Sequence, residues 1–403
     1  GRPVMTAQTA PGADSAAGIV IIGAGTAGVT AAATLRAGGY GGTVTLIGAE
    51  PGLPYRRTAL SKDLLAADLS EARIALQKPE FWDAKSIDVR DSVRVTAIDP
   101  DARTVALDDG SALRYAALVL ATGGQPVRPG WLDDAVPSLR TRDDALAIRD
   151  DLRRSERLIV IGGGLIGLEL AASAASHGMS ASVVEVSDRL VGRVMPAVVS
   201  DYLAALHADN GVWLRTSSAA DSAGPRRVQL ADGTHLVGTV VAAIGARPDL
   251  ALAEAAGVPV CPDGIVVNSA LATDVPGIYA AGDVAALPDL RTGAPARGEH
   301  WFGATDQGKA VAKSVLADLA GTPAPTFAEV PRAWTMQYGV NIQMVGWPTA
   351  SDDIRVDGSL ADSDALVTTF DEGGALIGAV AVGRAAAARE CRSEIAAGLG
   401  SKV

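Results

Sequence analysis

Residues 18–38 read GIVIIGAGTAGVTAAATLRAG, and this stretch decides the fold. A short apolar run leads into the glycines Gly23, Gly25 and Gly28 and then into an alanine-rich segment, which predicts a strand, a tight turn and a helix. In this arrangement the first glycine permits the turn, the second lets a pyrophosphate approach the backbone, and the third lets the helix pack on the strand. Free N–H groups at the start of the helix then face the phosphates.

The same arrangement returns at residues 157–178, which read RLIVIGGGLIGLELAASAASHG. The three glycines here are Gly162, Gly164 and Gly167, and the first lies 139 residues after its counterpart. Two copies at this separation predict a repeated nucleotide-binding domain and not a short-period solenoid.

Each copy is followed by a predicted strand that ends in an acidic residue. These strands read TVTLIGAE, ending at Glu50, and SASVVEV, in which Glu185 stands 23 residues after Gly162. A carboxylate at this place accepts hydrogen bonds from a ribose diol and repels a 2′-phosphate. Because Val186 stands where an NADP site carries a base, we expect NADH to be preferred over NADPH, although Arg189 and Arg193 downstream leave NADPH open.

Composition excludes several other classes of protein. Hydrophobic residues make up 48% of the 403, which excludes wholesale disorder, and a formal net charge of −11 without a basic stripe argues against nucleic acid as a partner. Cys261 and Cys391 are the two cysteines, 130 residues apart, so the chain has no C-x-x-C redox pair, cysteine zinc site or cluster-binding set. No metal site is expected, and electron chemistry would need a bound organic cofactor.

The chain shows no signal peptide and no apolar run long enough to span a membrane, which predicts a cytoplasmic protein without a membrane span. Residues 1–17 lack periodicity and are expected to be disordered. After about residue 326 the pattern changes to short strand-like runs and a final alanine-rich helix, which predicts a smaller third domain.

Two further motifs resemble those of flavoproteins that bind two dinucleotides. Residues 118–123 read LVLATG, and residues 273–283 read TDVPGIYAAGD, in which Asp283 matches an acid that binds the ribityl chain. With all motifs in order, the chain resembles the FAD-dependent ferredoxin reductases of bacterial oxygenase systems, of the putidaredoxin reductase and biphenyl-dioxygenase type. Apoptosis-inducing factor is a more distant relative.

The resemblance implies an α/β fold with two Rossmann-like domains, for FAD and NAD, and a smaller C-terminal α+β domain. It implies a discontinuous FAD domain over residues 18–124 and 248–325, an NAD domain over 125–247 and an interface domain over 326–403. The residues that it places on FAD are Gly23, Gly25, Thr26, Ala27, Gly28, Glu50, Arg57, Lys62, Ala121, Thr122, Gly123, Gly282, Asp283, Glu299, His300, Trp301, Ala304 and Trp334. Those on NAD are Gly162, Gly164, Leu165, Ile166, Gly167, Glu185, Arg193, Ile244 and Gly245.

Three residues are implied as catalytic: Lys62, Glu169 and Trp334. Lys62 matches the family lysine near the flavin N5, which the family pairs with the acid at Glu169, expected in the first helical turn after Gly167. An acid among apolar neighbours needs a partner if it is buried, and a compact ammonium can approach a flavin where a guanidinium would crowd it. Arg57 matches an arginine beside the flavin, and Trp334 a third-domain aromatic near the flavin ring.

The sequence departs from the family pattern at two places. Thr58 and Ala59 replace two prolines after Arg57, and Thr335 and Met336 replace a serine and an aspartate after Trp334. The second change leaves the re-oxidation side of the flavin open.

The implied activity is hydride transfer from NADH to FAD N5, then single-electron transfer to a [2Fe–2S] ferredoxin that serves a P450 or Rieske oxygenase. An acidic ferredoxin would need a local basic face, for which Lys309, Lys313, Arg73 and Lys78 are candidates. The alternatives are an NADH oxidoreductase with a small-molecule acceptor, such as a quinone or oxygen, and an NAD-responsive interaction protein like apoptosis-inducing factor. The expected state is a monomer or weak homodimer.

Overall fold

The computed structural model describes residues 17–297 and 301–400. Its first unit is a seven-stranded sheet in the order β3-β2-β1-β6-β5-β4, with β18 also paired to β6. Five of the strands are parallel, while β4 and β5 form an antiparallel extension. The bounds are β1 Gly18–Ile22, β2 Val44–Ile47, β3 Ile87–Arg90, β4 Val95–Asp99, β5 Thr104–Leu107, β6 Ala112–Leu120 and β18 Ile278–Ala280.

Helices flank this sheet because its central strands β1 and β2 are apolar and buried throughout. They are α1 Thr26–Ala37, α2 Glu71–Ile74, α3 Pro79–Ala84, α7 Ala251–Ala255 and α8 Trp301–Ala320, with a 3₁₀ turn at Arg57–Ala59. Helices α1 and α8 cross closely at Gly308, where a Cβ atom would lie 2.6 Å from the carbonyl oxygen of Ala27. The start of α1 is therefore held between the sheet and α8.

The second unit is a four-stranded parallel sheet in the order β10-β9-β8-β14. Its strands are β8 Arg157–Ile161, β9 Ser180–Val184, β10 Trp213–Arg215 and β14 Thr239–Ala242, and its helices are α4 Arg142–Ser155, α5 Leu165–Ser176 and α6 Ala197–Asp209. A three-stranded antiparallel sheet follows the same segment, with β11 Ala220–Gly224, β12 Arg227–Leu230 and β13 His235–Val237.

The chain enters and leaves the second unit through two antiparallel strands, β7 Gly124–Pro126 and β15 Ala246–Pro248. A small four-stranded sheet then precedes α8, with β16 Val260–Cys261, β17 Gly264–Val266, β19 Ala285–Pro288 and β20 Pro295–Arg297. Cys261 thus lies in a short strand that pairs with β17.

The third unit is a five-stranded antiparallel sheet in the order β21-β22-β25-β24-β23, with one helix against it. Its elements are β21 Arg332–Gln337, β22 Val340–Gly346, β23 Asp353–Ser359, β24 Asp364–Phe370, β25 Leu376–Val382 and α9 Ala385–Gly400. Two parallel sheets and a smaller antiparallel one confirm the α/β class that the sequence predicts.

The buried apolar residues form two large clusters. One fills the first unit, and the other joins the second unit to residues of the third, including Ile342 and Val380, and to Leu60 and Leu64 of the first. The three units therefore meet around shared apolar contacts. Within the described ranges, no helix combines the length and hydropathy that crossing a lipid bilayer requires.

Candidate active site

The first glycine turn joins β1 to α1 and has the geometry of a phosphate cradle. Gly23 has φ 112°, and a Cβ atom there would overlap the carbonyl oxygen of Ala121, while one at Gly28 would overlap the carbonyl oxygen of Gly23. Gly25 differs, because its φ of −82° suits any residue and a Cβ atom there would meet no protein atom within 4 Å. This glycine serves neither the turn nor the packing, so it leaves room for a group from outside the chain.

Seven of the other predicted FAD residues lie around the start of α1. Ala121 touches the turn at Gly23, a Cβ atom at Gly282 would lie 3.0 Å from the Cβ of Ala27, and the N–H of Gly282 donates to Oε1 of buried Gln307 at 2.7 Å. The remaining members stand beside these in the chain: Thr26 as the first residue of α1, Thr122 and Gly123 after β6, and Asp283 after Gly282. No side-chain cap occupies the N–H groups of α1, which fits a pyrophosphate at this point.

Glu50 lies three residues beyond the end of β2, so the expectation that the strand runs to Glu50 is wrong. Its carboxylate accepts a hydrogen bond from the hydroxyl of Tyr55 at 2.5 Å and forms an ion pair with Arg57. Arg57 also donates from Nη1 to the carbonyl oxygen of Arg140 at 2.8 Å. The structure therefore places Arg57 with the carboxylate that is expected to bind a ribose.

Arg140 is a residue of this cradle that the sequence analysis missed. Its Nη2 would lie 2.8 Å from a Cβ atom at Gly123. Burial lowers the pKa of Arg140, and the positive charge of Arg57 lowers it further, whereas Asp283 and Glu50 act in the opposite direction. A buried guanidinium among residues of the cradle suits an anionic ligand, but no local motif marks it, since it stands just before the capping box of α4.

The second glycine turn repeats the first in detail. Gly162 has φ 111° and faces the carbonyl oxygen of Ala243, Gly167 packs on Gly162, and a Cβ atom at Gly164 would meet nothing within 4 Å. Leu165 and Ile166 open α5, and Ile166 is 49% exposed at the mouth of the turn. Ile244 and Gly245 come just after β14, separated from it by Ala243, and border the same edge of the sheet.

Glu185 directly follows β9, and backbone donors hold its carboxylate. Oε2 accepts from the N–H of Gly163 at 2.6 Å, and Oε1 accepts from the N–H of Ser187 at 2.8 Å. Each oxygen keeps a lone pair for a ribose hydroxyl. Arg193 stands exposed farther along this loop.

Arg189 is committed to the loop itself. It donates from Nη1 to the carbonyl oxygen of Met195 at 2.6 Å and to Oγ of Ser200 at 2.9 Å. With Arg189 engaged and Val186 69% exposed, the site suits a ribose with a free 2′-hydroxyl.

Glu169 connects the three units. It lies in the second turn of α5, not the first as expected, because α5 already begins at Leu165, two residues before Gly167. It is 7% exposed, and it accepts hydrogen bonds from Oγ of Ser61 at 2.6 Å and from Oγ1 of Thr335 at 2.8 Å. Beside it, the ammonium of Lys62 lies over the ring of Trp334. The sequence-predicted trio of Lys62, Glu169 and Trp334 is thus assembled in one place.

Burial at this site disfavours the charged forms of its two titratable members, Glu169 and Lys62. Burial raises the pKa of Glu169, and the hydrogen bonds from Ser61 and Thr335 and the charge of Lys62 oppose that rise. Burial lowers the pKa of Lys62 to about 8, and the charge of Glu169 opposes that fall. Perturbed acids and bases of this kind are typical of reactive sites.

Several predicted residues stand apart from this geometry. Glu299 and His300 lie outside the described residues, as does the side chain of Trp301, whereas Ala304 packs against the first apolar cluster. Thr335 keeps the hydroxyl of the serine that it replaces, but Met336 is 40% exposed where the family carries an acid.

The remaining histidines and cysteines do not form a centre. His207 is fully buried and its Nε2 lies 2.7 Å from Oε1 of Gln337, while His177 and His235 lie elsewhere. Cys391 is buried in α9, and Cys261 lies in strand β16. In the part of the chain that the structure describes, no group of three or more histidine, cysteine or acidic residues is placed to hold a metal.

Comparisons with known proteins agree with this geometry. Residues 17–308 match the family model described as pyridine nucleotide-disulphide oxidoreductase, and residues 332–402 match the model described as reductase C-terminal. The 3-phenylpropionate/cinnamic acid dioxygenase ferredoxin–NAD(+) reductase component of Photorhabdus laumondii is 37% identical over 385 residues, covering 94% of this chain and 95% of the relative.

A second curated relative and one solved structure are also similar to this chain. Rhodocoxin reductase of Rhodococcus erythropolis is 38% identical over 357 residues, covering 85% of this chain and 81% of the relative. The covalent complex of putidaredoxin reductase with putidaredoxin contains a chain that is 34% identical, with a TM-score of 0.89 and coverage of 95% of this chain and 94% of that one. The chain described here therefore belongs to the pyridine nucleotide-disulphide oxidoreductase family, in the group of ferredoxin–NAD(+) reductases that carry the reductase C-terminal domain.

Proposed function

We propose that this protein is an FAD-dependent NADH:ferredoxin oxidoreductase of an oxygenase system. FAD, when bound, accepts hydride from NADH and releases electrons one at a time, chemistry that no protein side chain supplies. The proposed terminal oxygenase is of the P450 or Rieske type, and the relative from Photorhabdus laumondii is named as a component of a dioxygenase system.

The observation that carries the proposal is the junction at Glu169. This carboxylate sits on the helix of the second glycine turn and is bonded to Ser61 of the first unit and Thr335 of the third. One acid thus links the cradle for each dinucleotide to the third-unit strand that presents Trp334. Two bound dinucleotides react with each other only if the protein holds their reacting ends close together, and a junction shared by both cradles serves this purpose.

The two cradles have separate roles in this proposal. We propose that residues 18–124 and 248–325 hold FAD, with its pyrophosphate at Gly25 and its ribose at Glu50. Residues 125–247 hold NADH, with its pyrophosphate at Gly164 and its ribose at Glu185. Arg140 adds a buried positive charge on the FAD side.

Lys62 and Glu169 orient the reacting ends of the two cofactors. The ammonium, packed on the ring of Trp334, would offer a hydrogen-bond donor to the flavin when FAD is bound, and Glu169 balances its charge. Trp334 belongs to the third unit and is the residue that we place toward the electron acceptor.

The chain supports direct export of electrons from the flavin. Disulphide reductases of this fold pass electrons to a cysteine pair, but the two cysteines here stand at residues 261 and 391, in β16 and α9, and both are free. A one-electron carrier is the simplest acceptor. Location in the cytoplasm and a monomer or weak homodimer stay predictions from the sequence.

The test is NADH-driven reduction of cytochrome c by the FAD-loaded enzyme, with and without a [2Fe–2S] ferredoxin from an oxygenase system. We expect turnover to depend on the ferredoxin and to exceed the ferredoxin-free rate by at least tenfold. Equal rates in its absence would favour a small-molecule acceptor. Slow reduction that ends in a long-lived charge-transfer complex would favour an NAD-responsive interaction protein.

A Lys62→Met variant serves as the internal comparison, because it removes the ammonium at similar length. We expect stopped-flow reduction by NADH to slow at least tenfold while FAD content stays unchanged. The matched control is Lys85→Met, which alters an exposed lysine at the end of α3. Unchanged reduction of the Lys62→Met variant would contradict the role assigned to Lys62.

A further inference from the structure

A chain of hydrogen bonds runs from Glu169 into the second and third units, away from the two cradles. Thr335 donates to Oε1 of Glu169 at 2.8 Å, and Nε2 of Gln337 donates to Oγ1 of Thr335 at 3.2 Å. Nε2 of His207, on α6, lies 2.7 Å from Oε1 of Gln337, and the hydroxyl of Tyr338 lies 2.9 Å from Nδ1 of His207. We call these five residues the Glu169 chain.

Four members of the Glu169 chain are buried, and Tyr338 at its end is half-buried. Thr335 and His207 are each 0% exposed and Gln337 is 1% exposed, so no bulk water replaces a lost link. Buried polar groups of this kind keep a partner in native proteins, because an unpaired one is costly. The donor and acceptor in each hydrogen bond therefore determine the donor and acceptor in the next.

The ionised form of Glu169 fixes the direction of the whole chain. A carboxylate only accepts hydrogen bonds, so Thr335 must donate to it and must in turn accept from the amide nitrogen of Gln337. The amide oxygen then faces His207, which must carry its proton on Nε2 and accept from Tyr338 at Nδ1. A protonated Glu169 allows the opposite direction, with the amide reversed and the histidine proton on Nδ1.

We propose that His207 is a positioning residue for Glu169. By donating from Nε2 while Nδ1 is occupied by the hydroxyl of Tyr338, it holds the chain in the direction that favours the ionised carboxylate beside Lys62. Nothing in the proposed function assigns a role to His207 or Tyr338. The direction of the chain is independent of that function, and only the kinetic readout below rests on it.

The groups around both ends are compatible with this role. Ser61, Lys62 and Thr335 act on Glu169, and each favours its ionised form. At the other end, burial lowers the pKa of His207, and the hydrogen bond with Gln337 opposes that fall. Burial also raises the pKa of Tyr338, so its hydroxyl stays a donor at neutral pH.

The direct test is ¹⁵N NMR of the FAD-loaded enzyme labelled at its four histidines. The His207 signals are assigned by their loss in a His207→Gln variant. We expect a neutral ring with its proton on Nε2 across pH 6 to 8. A proton on Nδ1, or a ring that titrates in this range like an exposed histidine, would overturn the proposal whether or not the enzyme reduces a ferredoxin.

The kinetic test compares two substitutions of His207 by stopped-flow reduction with NADH. Glutamine keeps an N–H for Gln337 and an oxygen for Tyr338, so His207→Gln should keep the wild-type pH profile. His207→Leu removes the donor to Gln337, and the apparent pKa of the Lys62–Glu169 pair should shift by up to about one unit, the upper end of what a hydrogen bond between neutral groups contributes. The Kd for NADH should stay within about twofold, because His207 touches neither cradle.

Tyr202→Phe is the matched control, since the Tyr202 hydroxyl also joins α6 to the third unit, at Oγ of Ser363 at 2.7 Å. If Tyr202→Phe shifts the pH profile as much as His207→Leu does, the shift comes from loosening the contact between α6 and the third unit. The proposal for His207 is then wrong. Where His207→Leu fails to load FAD, Tyr338→Phe replaces it. That variant removes the donor at Nδ1 of His207, so the apparent pKa of the Lys62–Glu169 pair should shift in the same direction as in His207→Leu, and an unchanged pH profile would overturn the role of Tyr338.

Discussion

At the scale of single residues, Gly25 and Gly28 stand in one turn, yet a methyl group has different consequences at each. An alanine at position 25 meets no protein atom, whereas one at position 28 overlaps the carbonyl oxygen of Gly23. We expect Gly25→Ala to fold with a thermal midpoint close to that of the wild type but to lose FAD. Gly28→Ala should be destabilised by about 1–3 kcal/mol, the usual cost of overpacking.

Both glycine variants are measured by flavin content after purification and by thermal unfolding of the apoprotein. The second turn offers the same comparison for NADH, with Gly164→Ala and Gly167→Ala. Full FAD content in Gly25→Ala would show that the pyrophosphate does not approach this residue.

The pKa of Lys62 predicts a pH effect on the reductive half-reaction. In the folded protein it is lowered to about 8, so the ammonium is present at pH 7 and is lost as the pH rises through 8. We expect the rate of reduction by NADH to fall through this range, and the fall to be absent in Lys62→Met. A pH-independent rate between 7 and 9 in the wild type would contradict the prediction.

The sign of the linked stability effect follows from the same value. Between about pH 8 and 10.5, the ordinary pKa of a lysine, the unfolded chain binds more protons at this lysine than the folded chain does. The contribution of Lys62 to the free energy of unfolding therefore rises with pH across that window. Below pH 8 both states are protonated and the contribution is constant.

At the scale of elements, the loop after β9 decides which nicotinamide cofactor binds. Glu185 holds the loop through the N–H groups of Gly163 and Ser187, and Val186 beside it is exposed. We expect the double variant Glu185→Ser and Val186→Arg to change the ratio of kcat/KM for NADPH over NADH by about 100-fold, or about 2.7 kcal/mol.

Glu185→Ser alone is the control for that experiment. It should weaken NADH binding without making NADPH a good substrate, because it removes repulsion but adds no positive charge. A double variant that still prefers NADH by the wild-type ratio would show that Arg193, or another residue of the loop, governs the choice.

The sequence predicts these loops well because their chemistry is local. A glycine turn and its acid lie within about two dozen residues, and the φ values at Gly23 and Gly162 follow from them. Smaller displacements arise where an element ends: Glu50 lies past β2, and Glu169 lies one turn deeper in α5 than expected. Terminal residues of helices and strands depend on tertiary contacts and are the least predictable part of a pattern.

Residues that work across long separations were missed. Arg140 reaches the FAD cradle from the start of the second unit, and His207 meets Gln337 across 130 positions of sequence. Neither stands in a motif, since an arginine before a helix and a histidine within one are common. Their roles depend on how the three units pack against one another. That packing is formed by the apolar cluster to which all three units contribute residues.

At the scale of the whole molecule, a net charge of −11 makes docking of an acidic ferredoxin depend on local basic residues. Lys309 and Lys313 are exposed four residues apart on α8, the helix that packs on α1. We expect a double Lys309→Glu and Lys313→Glu variant to lower the rate of ferredoxin reduction at least tenfold at low salt. Flavin reduction by NADH should be unchanged.

The dependence on ionic strength supplies the control for this docking prediction. Wild-type electron transfer should slow as salt is added, because screening weakens attraction between exposed charges, and the double variant should lose most of that dependence. Arg73 in α2 and Lys78 just before α3 are the other two candidate basic residues, and a double Arg73→Glu and Lys78→Glu variant is the comparison. Salt-insensitive turnover in the wild type would contradict a basic docking face.

The order of strands in the first sheet also has a consequence for synthesis on the ribosome. Strand β18 pairs with β6, yet the whole second unit is made between them, so its sheet can close while the first sheet still lacks a strand. Gly282 and Asp283 follow β18 directly and complete the predicted flavin cradle. A growing chain can therefore build a nucleotide-binding second unit before it can retain FAD, and flavin loading belongs to the last third of translation.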